Sequence, residues 1–375
     1  MRNMQRLLVF PAWEDNPYIN LLNLAARAYG YQQLGATTHP TLLKRLDGLS
    51  SGDVFQLHWT QAISQTAPSA EAARARLRTF TRALERAQQR GAKIVWTIHN
   101  RLPHELRFHD VEVGLLRTLA ARADAIHVMS SGTTAFMADI CELPPDRVHV
   151  IPHPSYLGVY GPPTTDERRT DARAALGVSP DQYAVLAFGQ IRGYKGLDVL
   201  IAAMTRLADE GMPVKLLIAG SAKEDMRSAI GALIPDDLPA VVSFDFVDDS
   251  EVHRWFDAAD VAVFPYRAIL NSGSTHLAAT FGVPVVLPGE PHLREQFRTH
   301  PWVRFYGPAE GASSLSAVLR ERPRREEYLR EMEDFATTVS PWHISQQYLR
   351  LLQGLSRPAV PAATLESAPM DGVIE

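Results

Sequence analysis

Cysteine is nearly absent: 375 residues contain one, Cys141. That excludes an intrachain disulfide and any cysteine-based zinc cluster, and fits a buried structural thiol. No apolar run approaches the roughly 20 residues that span a bilayer. Met1-Arg2-Asn3-Met4-Gln5-Arg6 leads straight into a predicted strand rather than a secretion signal, so a cytosolic protein is expected. The chain also lacks a Walker A sequence, a His-Glu-x-x-His zinc motif and an Asp-x-Asp strand end, so neither a cofactor nor a catalytic metal is implied.

Nor is there a positive net charge. With 38 Lys and Arg against 42 Asp and Glu the formal charge is -4, which argues against nucleic acid as the main partner. The charge is unevenly shared: 17 basic and 13 acidic residues fall within 1–150, about +4, leaving about -8 for the remainder. Much of the basic excess lies on one predicted helix. There Arg74, Arg78, Arg82, Arg86 and Arg90 recur every four residues beside an apolar stripe of Ala73, Leu77, Phe80, Leu84 and Ala87. This is either a solvated face, with Glu71 and Glu85 as local partners, or a contact through Arg74, Arg78, Arg82 and Arg86 for an anionic membrane or a lipid-linked acceptor. The second reading makes the protein peripheral at the inner face of a membrane.

What is present is a repeated alternation. Hydrophobic content of 46% can fill two cores, and apolar β-branched runs alternate with helical patterns, the mark of parallel sheets covered by helices on both faces. Strands are predicted near 7–10, 54–57, 94–98, 125–128 and 148–151, then near 184–188, 214–219, 241–244, 261–264, 283–286 and 303–305. A helix is predicted to begin at Pro17, a residue suited to a first helical position. A Pro- and Gly-rich stretch, 152–163, reads as a linker and hinge. The expected fold is α/β, with two Rossmann-like doubly wound domains facing across a cleft. The domains are expected at 1–155 and 156–338, with a helix at 339–355 packing back on the first and a disordered tail at 356–375. Helical patterns cover 325–335 and 343–352.

Two loops point to anion binding. After the strand ending near Phe264, a small-residue turn over Asn271-Ser272-Gly273-Ser274-Thr275 opens a helix, whose free amides and dipole favour negative charge. The same wording also fits an ordinary β-loop-α unit. Its partner is Phe188-Gly189-Gln190-Ile191-Arg192-Gly193-Tyr194-Lys195-Gly196, also at a strand-to-helix junction, where Arg192 and Lys195 can reach a phosphate. Both loops follow strands of one domain and can converge on a single diphosphate.

On these residues the chain resembles the GT-B glycosyltransferases, specifically the retaining group classed as glycosyltransferase family 4. The resemblance extends over most of 5–354 and is sharpest from Phe188 to Val286. It implies transfer of a sugar from a nucleoside diphosphate donor to a glycan, lipid-linked or small-molecule acceptor, with Gly189, Gln190, Ser272, Gly273, Ser274 and Thr275 holding the diphosphate. Gln190 stands where the family has Arg, and Arg192 offers the guanidinium two residues later; Lys195-Gly196 matches. The strand ending in Gly220 and the segment Phe246-Val247-Asp248-Asp249 match the nucleotide pocket. His99, at the end of the strand Ile94-Val95-Trp96-Thr97-Ile98, matches a functional histidine, so His99, Arg192 and Lys195 are the implied catalytic groups.

The family's paired glutamates are missing, however. Their positions hold Ile269 and Leu277, which cannot accept hydrogen bonds from sugar or ribose, while Asn271 or His276 could supply part of the polar recognition. The first β-α loop also departs from the family's glycine-rich form. Its Trp13, Asn16 and Tyr18 suggest a sugar-stacking or acceptor-shaping surface, extended by His58-Trp59-Thr60 and by Asn100, His104 and Asn271. A nucleotide-sugar epimerase of the same fold and a non-catalytic binding partner remain alternatives.

Overall fold

The architecture was established from a computed structural model, which describes residues 5–13 and 16–356. Most of the tail expected at 356–375 therefore lies outside the described residues. Strands β1 (Arg6–Phe10), β2 (Gln32–Gly35), β3 (Val54–Leu57), β4 (Lys93–Thr97), β5 (Ala125–Val128) and β6 (Val148–Val150) form one parallel sheet in the order β2-β1-β3-β4-β5-β6. Strands β7 (Tyr183–Phe188), β8 (Val214–Ala219), β9 (Ala240–Ser243), β10 (Val261–Val263), β11 (Val285–Pro288) and β12 (Val303–Tyr306) form a second, in the order β12-β11-β10-β7-β8-β9. This is the two-domain, doubly wound α/β fold that the alternation predicts.

Strand faces explain the apolar runs. β1 sends Leu8 and Phe10 into one core and Leu7 and Val9 into another, because successive side chains point to opposite faces and both faces are covered. β2 escapes detection for the converse reason. It is an edge strand, Gln32-Gln33-Leu34-Gly35, partly exposed and largely polar, and it is held in place by pairing with β1. The strand expected at 283–286 runs two residues later, at Val285–Pro288.

The chain reverses direction across each sheet between β1 and β3 and between β7 and β10. At such switch points the loops leave a crevice beyond the carboxyl ends of the strands, where open α/β folds bind ligands. The loops singled out by sequence leave from these strand ends.

The segment 152–163 has no regular structure but is no free linker. His153, Pro154, Ser155 and Tyr156 are buried. The Ser155 amide donates to Val339 O and its hydroxyl to Ala336 O, both at 2.7 Å, and the Tyr156 amide donates to Thr280 Oγ1 at 3.0 Å. The final helix, Pro341–Ser356, returns to the first sheet and buries Ile344, Tyr348 and Leu352 in a core with Leu22, Ala25 and Ala26. The two halves are thus tied twice.

On the basic helix, Ala70–Gln89, the ion pairs differ from those expected. Glu85 pairs with Arg122, and Arg86 pairs with Asp47 at 2.9 Å. Arg74, Arg78 and Arg82 are exposed, with no carboxylate partner among the described residues.

Candidate active site

The donor-side walls begin where glycines permit close backbone approach. A Cβ on Gly220, whose φ is +147°, would stand 2.2 Å from Gly189 O, so the loops after β7 and β8 can touch only without that side chain. Beyond β10, Ser272 caps the helix Gly273–Thr280, its hydroxyl accepting from the Thr275 amide at 3.3 Å. The amides of Gly273 and Ser274 find no acceptor among the described residues and stand at the positive end of the helix. Gly273 is also fixed by space: an added Cβ would lie 2.8 Å from Tyr156 Oη and 3.0 Å from His153 Nε2.

Lys195 reaches this helix start through a phenol. Its Nζ donates to Tyr266 Oη at 2.7 Å, and Tyr266 Oη donates to Ser274 Oγ at 3.3 Å. The ammonium also lies 4.0 Å from the centre of the Tyr266 ring, a cation–π contact. Burial works against the charge of Lys195, but Tyr266 and Tyr194 outweigh it and the net pKa shift is upward.

Two residues assigned to the diphosphate by sequence fall elsewhere. Thr275 is fully buried, with its hydroxyl unpartnered among the described residues, because the capped helix turns it into the core. Arg192 is half-buried and lies outside the lining of both cleft cavities. His276 is likewise buried: its Nδ1–H donates to Ser272 O at 3.1 Å, and burial pushes its pKa down to about 4.

A cavity of about 600 Å³ gathers Gly189, Gln190, Gly220, Phe246, Val247, Gly273 and Ser274. Its size suits a nucleotide. Phe246 is 68% exposed, and Leu277 contributes an apolar wall where the family resemblance implies a glutamate. Asp249 is the one carboxylate among the described residues lining it.

A second cavity of about 420 Å³ continues toward the first domain and shares Trp13, Asn16, Gly273 and Ser274 with the first. It holds Tyr18, His99, Asn100, His104, Lys195 and Asn271. Asn271 Nδ2 donates to the carbonyls of Ile98 and His99, both at 3.3 Å, strapping the second domain to the end of β4. His104 stacks on Tyr194 across the cleft, with ring centres 3.7 Å apart. Asn16 spends its side-chain oxygen capping the helix Pro17–Leu22, accepting from the Tyr18 amide at 3.0 Å. Tyr18 is only 3% exposed and meets the His99 ring edge-on at 4.9 Å, so it supports His99 more than it presents a surface.

His99 belongs to a pair. Its Nε2 lies 2.9 Å from His58 Nδ1, and its ring stacks on Trp59 at 4.1 Å. Burial, reinforced by His58, His127 and His153, pushes the His99 pKa well below the usual histidine value; burial and then His127 push His58 down to about 3. Both rings are therefore neutral at pH 7. His58 Nε2 is buried without a partner among the described residues. A buried N–H without an acceptor costs more than an unshared lone pair, so the His58 hydrogen belongs on Nδ1, donating to His99. His99 then carries its own hydrogen on Nδ1.

Sequence reasoning missed His153, Tyr156 and Tyr160. His153 Nδ1–H donates to Pro154 O at 2.7 Å, and both tyrosines line the 600 Å³ cavity. The signal was Pro152-His153-Pro154 with two following tyrosines, aromatic residues unusual in a solvated linker.

Comparison with known proteins bears on the family and the fold. Residues 63–154 match the glycosyltransferase family 4 model, and residues 182–317 match that of glycosyl transferases group 1. Anabaena HepE, solved with UDP, shares the fold at a TM-score of 0.71 and 13% identity, over 94% of this chain and 100% of that one. Sucrose-phosphate synthase of Thermosynechococcus elongatus superposes at a TM-score of 0.67 and 15% identity, over 94% and 99%. The chain is therefore a GT-B glycosyltransferase resembling family 4. Among curated relatives, the GDP-mannose:glycolipid 4-beta-D-mannosyltransferase of Xanthomonas campestris pv. campestris is 27% identical over 84% of this chain and 83% of its own length. A D-inositol 3-phosphate glycosyltransferase of Xylanimonas cellulosilytica is 35% identical over 40% of this chain and 36% of its own length.

Proposed function

We propose that the chain moves a hexosyl group from a UDP- or GDP-linked sugar to a glycan, lipid-linked or small-molecule acceptor in bacterial polysaccharide or glycoconjugate assembly. One observation carries the reading: the hydrogen-bonded chain Lys195–Tyr266–Ser274 beside the free amides of Gly273 and Ser274, at the edge of the 600 Å³ cavity. Bond cleavage leaves negative charge on the diphosphate. The ammonium and the amides are fixed in advance where that charge develops, which is the economical form of electrostatic catalysis. The reading needs no metal ion. His99 donates from the opposite wall to the sugar or the leaving group. With Leu277 at the expected ribose contact, the Asp249 carboxylate takes the hydroxyl or N–H donors of the nucleoside.

Retention is the stereochemistry that the family resemblance implies. It is supported by the acceptor half of the cleft, where no Asp or Glu among the described lining residues stands ready as nucleophile or base. The leaving phosphate then takes the acceptor proton. One finding favours the opposite outcome. The mannosyltransferase relative is named for a 4-beta link, and a β product from an α-linked nucleotide sugar requires inversion. Arg74, Arg78 and Arg82 supply contact with an anionic membrane, keeping a lipid-linked acceptor near the cleft.

A thermal-shift panel of UDP- and GDP-sugars, followed by NMR of the product's anomeric centre, tests the reading. A raised melting temperature with one donor and transfer to an acceptor is expected. Absence of both overturns it, and conversion of the free donor without an acceptor identifies an epimerase instead.

A further inference from the structure

The acceptor side of the cleft is walled by rings and amides. Trp13 and Trp59 lie with ring centres 4.9 Å apart, and Trp59 in turn stacks on His99 at 18°, so the three rings form one shelf. Trp13 ends the shelf and is 38% exposed. The hydrogen-bonding groups nearby, Gln61 and Asn100, are uncharged amides.

Cations are scarce. Of the described residues lining this cavity or the small recess behind His99, only Lys195 and Arg101 are cationic. Arg101 pairs with Asp139 through a terminal nitrogen while its Nε is buried away from solvent, and Lys195 donates to Tyr266 and faces the proposed diphosphate. A phosphate or carboxylate on the acceptor would need free guanidinium or ammonium N–H groups to replace its water. A neutral pyranose needs none of these. Its C–H face covers an aromatic ring, and its hydroxyl edge meets amides.

Resting on the glycosyltransferase reading above, we infer that the acceptor residue receiving the sugar is an uncharged pyranose stacked on Trp13, and that phosphorylated sugars and polyols are rejected there. The site then differs in substrate class from the inositol-phosphate enzymes among its relatives.

The test uses the full chain with the donor found by thermal shift. Aryl pyranosides are compared with their matched 6-phosphates and with the corresponding uronide. At least 100-fold higher kcat/KM for the neutral series is expected. Trp13→Ala should raise acceptor KM at least tenfold, and Trp13→Phe should recover most of the loss. Equal or better use of a charged acceptor overturns the inference, as does transfer to no neutral pyranoside or an unchanged acceptor KM in Trp13→Ala. Failure of the underlying reading looks different: no nucleotide sugar binds at all.

Discussion

Replacing Lys195 by alanine isolates the electrostatic step. An ammonium has three N–H donors, and one is held by Tyr266 Oη at 2.7 Å, leaving two for the diphosphate. Loss of one preorganised donor to a developing anion costs about 2–4 kcal/mol in the transition state, or about 30- to 1,000-fold in kcat/KM. Tyr266→Phe is the companion change. It keeps the ring under Nζ, 4.0 Å from its centre, and removes only the hydroxyl that aims the ammonium and bonds Ser274. A loss of about 1.5 kcal/mol is expected for that hydrogen bond, roughly tenfold in rate. The assay is nucleotide release under single-donor conditions, with donor Kd by calorimetry and melting temperature as the control for folding. Full turnover in Lys195→Ala refutes the assignment. So does a rate loss in Lys195→Ala no larger than in Tyr266→Phe, because the charge would then contribute nothing beyond the positioning hydroxyl.

Acid should destabilise the fold through its neutral histidines. Burial depresses His58 to about 3 and His127 and His276 to about 4, against 6.5 for an unperturbed ring. The unfolded chain then binds protons that the native one refuses, so this stability is complete above about pH 6.5 and is lost as pH falls toward 4. Each such histidine contributes up to about 1.4 kcal/mol per pH unit in that window, and a melting temperature that stays flat from pH 7 to 5 contradicts the burial argument. On the basic helix, reversing Arg74, Arg78 and Arg82 to Glu should abolish sedimentation with anionic vesicles at low salt and leave donor Kd unchanged. Vesicle binding equal to wild type removes the membrane role.

Much of the fold was legible because both faces of the central strands are buried, which produces continuous apolar runs that local pattern reading detects. β2 was not legible: an exposed edge strand carries glutamines, and its pairing with β1 supplies what its side chains do not. The donor loops were legible as glycine and small-residue punctuation at strand ends. Their side-chain directions were not. Ser272, Gly273, Ser274 and Thr275 look interchangeable in a list, yet the helix cap commits the Ser272 hydroxyl, frees two amides and buries Thr275.

The sequence by itself determined the alternation of strands and helices and the glycine and small-residue loops at strand ends, because each depends on neighbours within a few residues. Tertiary structure alone decided the partnerships. His58 meets His99 because β3 and β4 are adjacent, and Lys195 meets Tyr266 across 71 positions because β7 and β10 flank one crevice. His153 and Tyr156 reach the site because the crossing between domains is buried. Such contacts are set by chain topology, which no local spacing records.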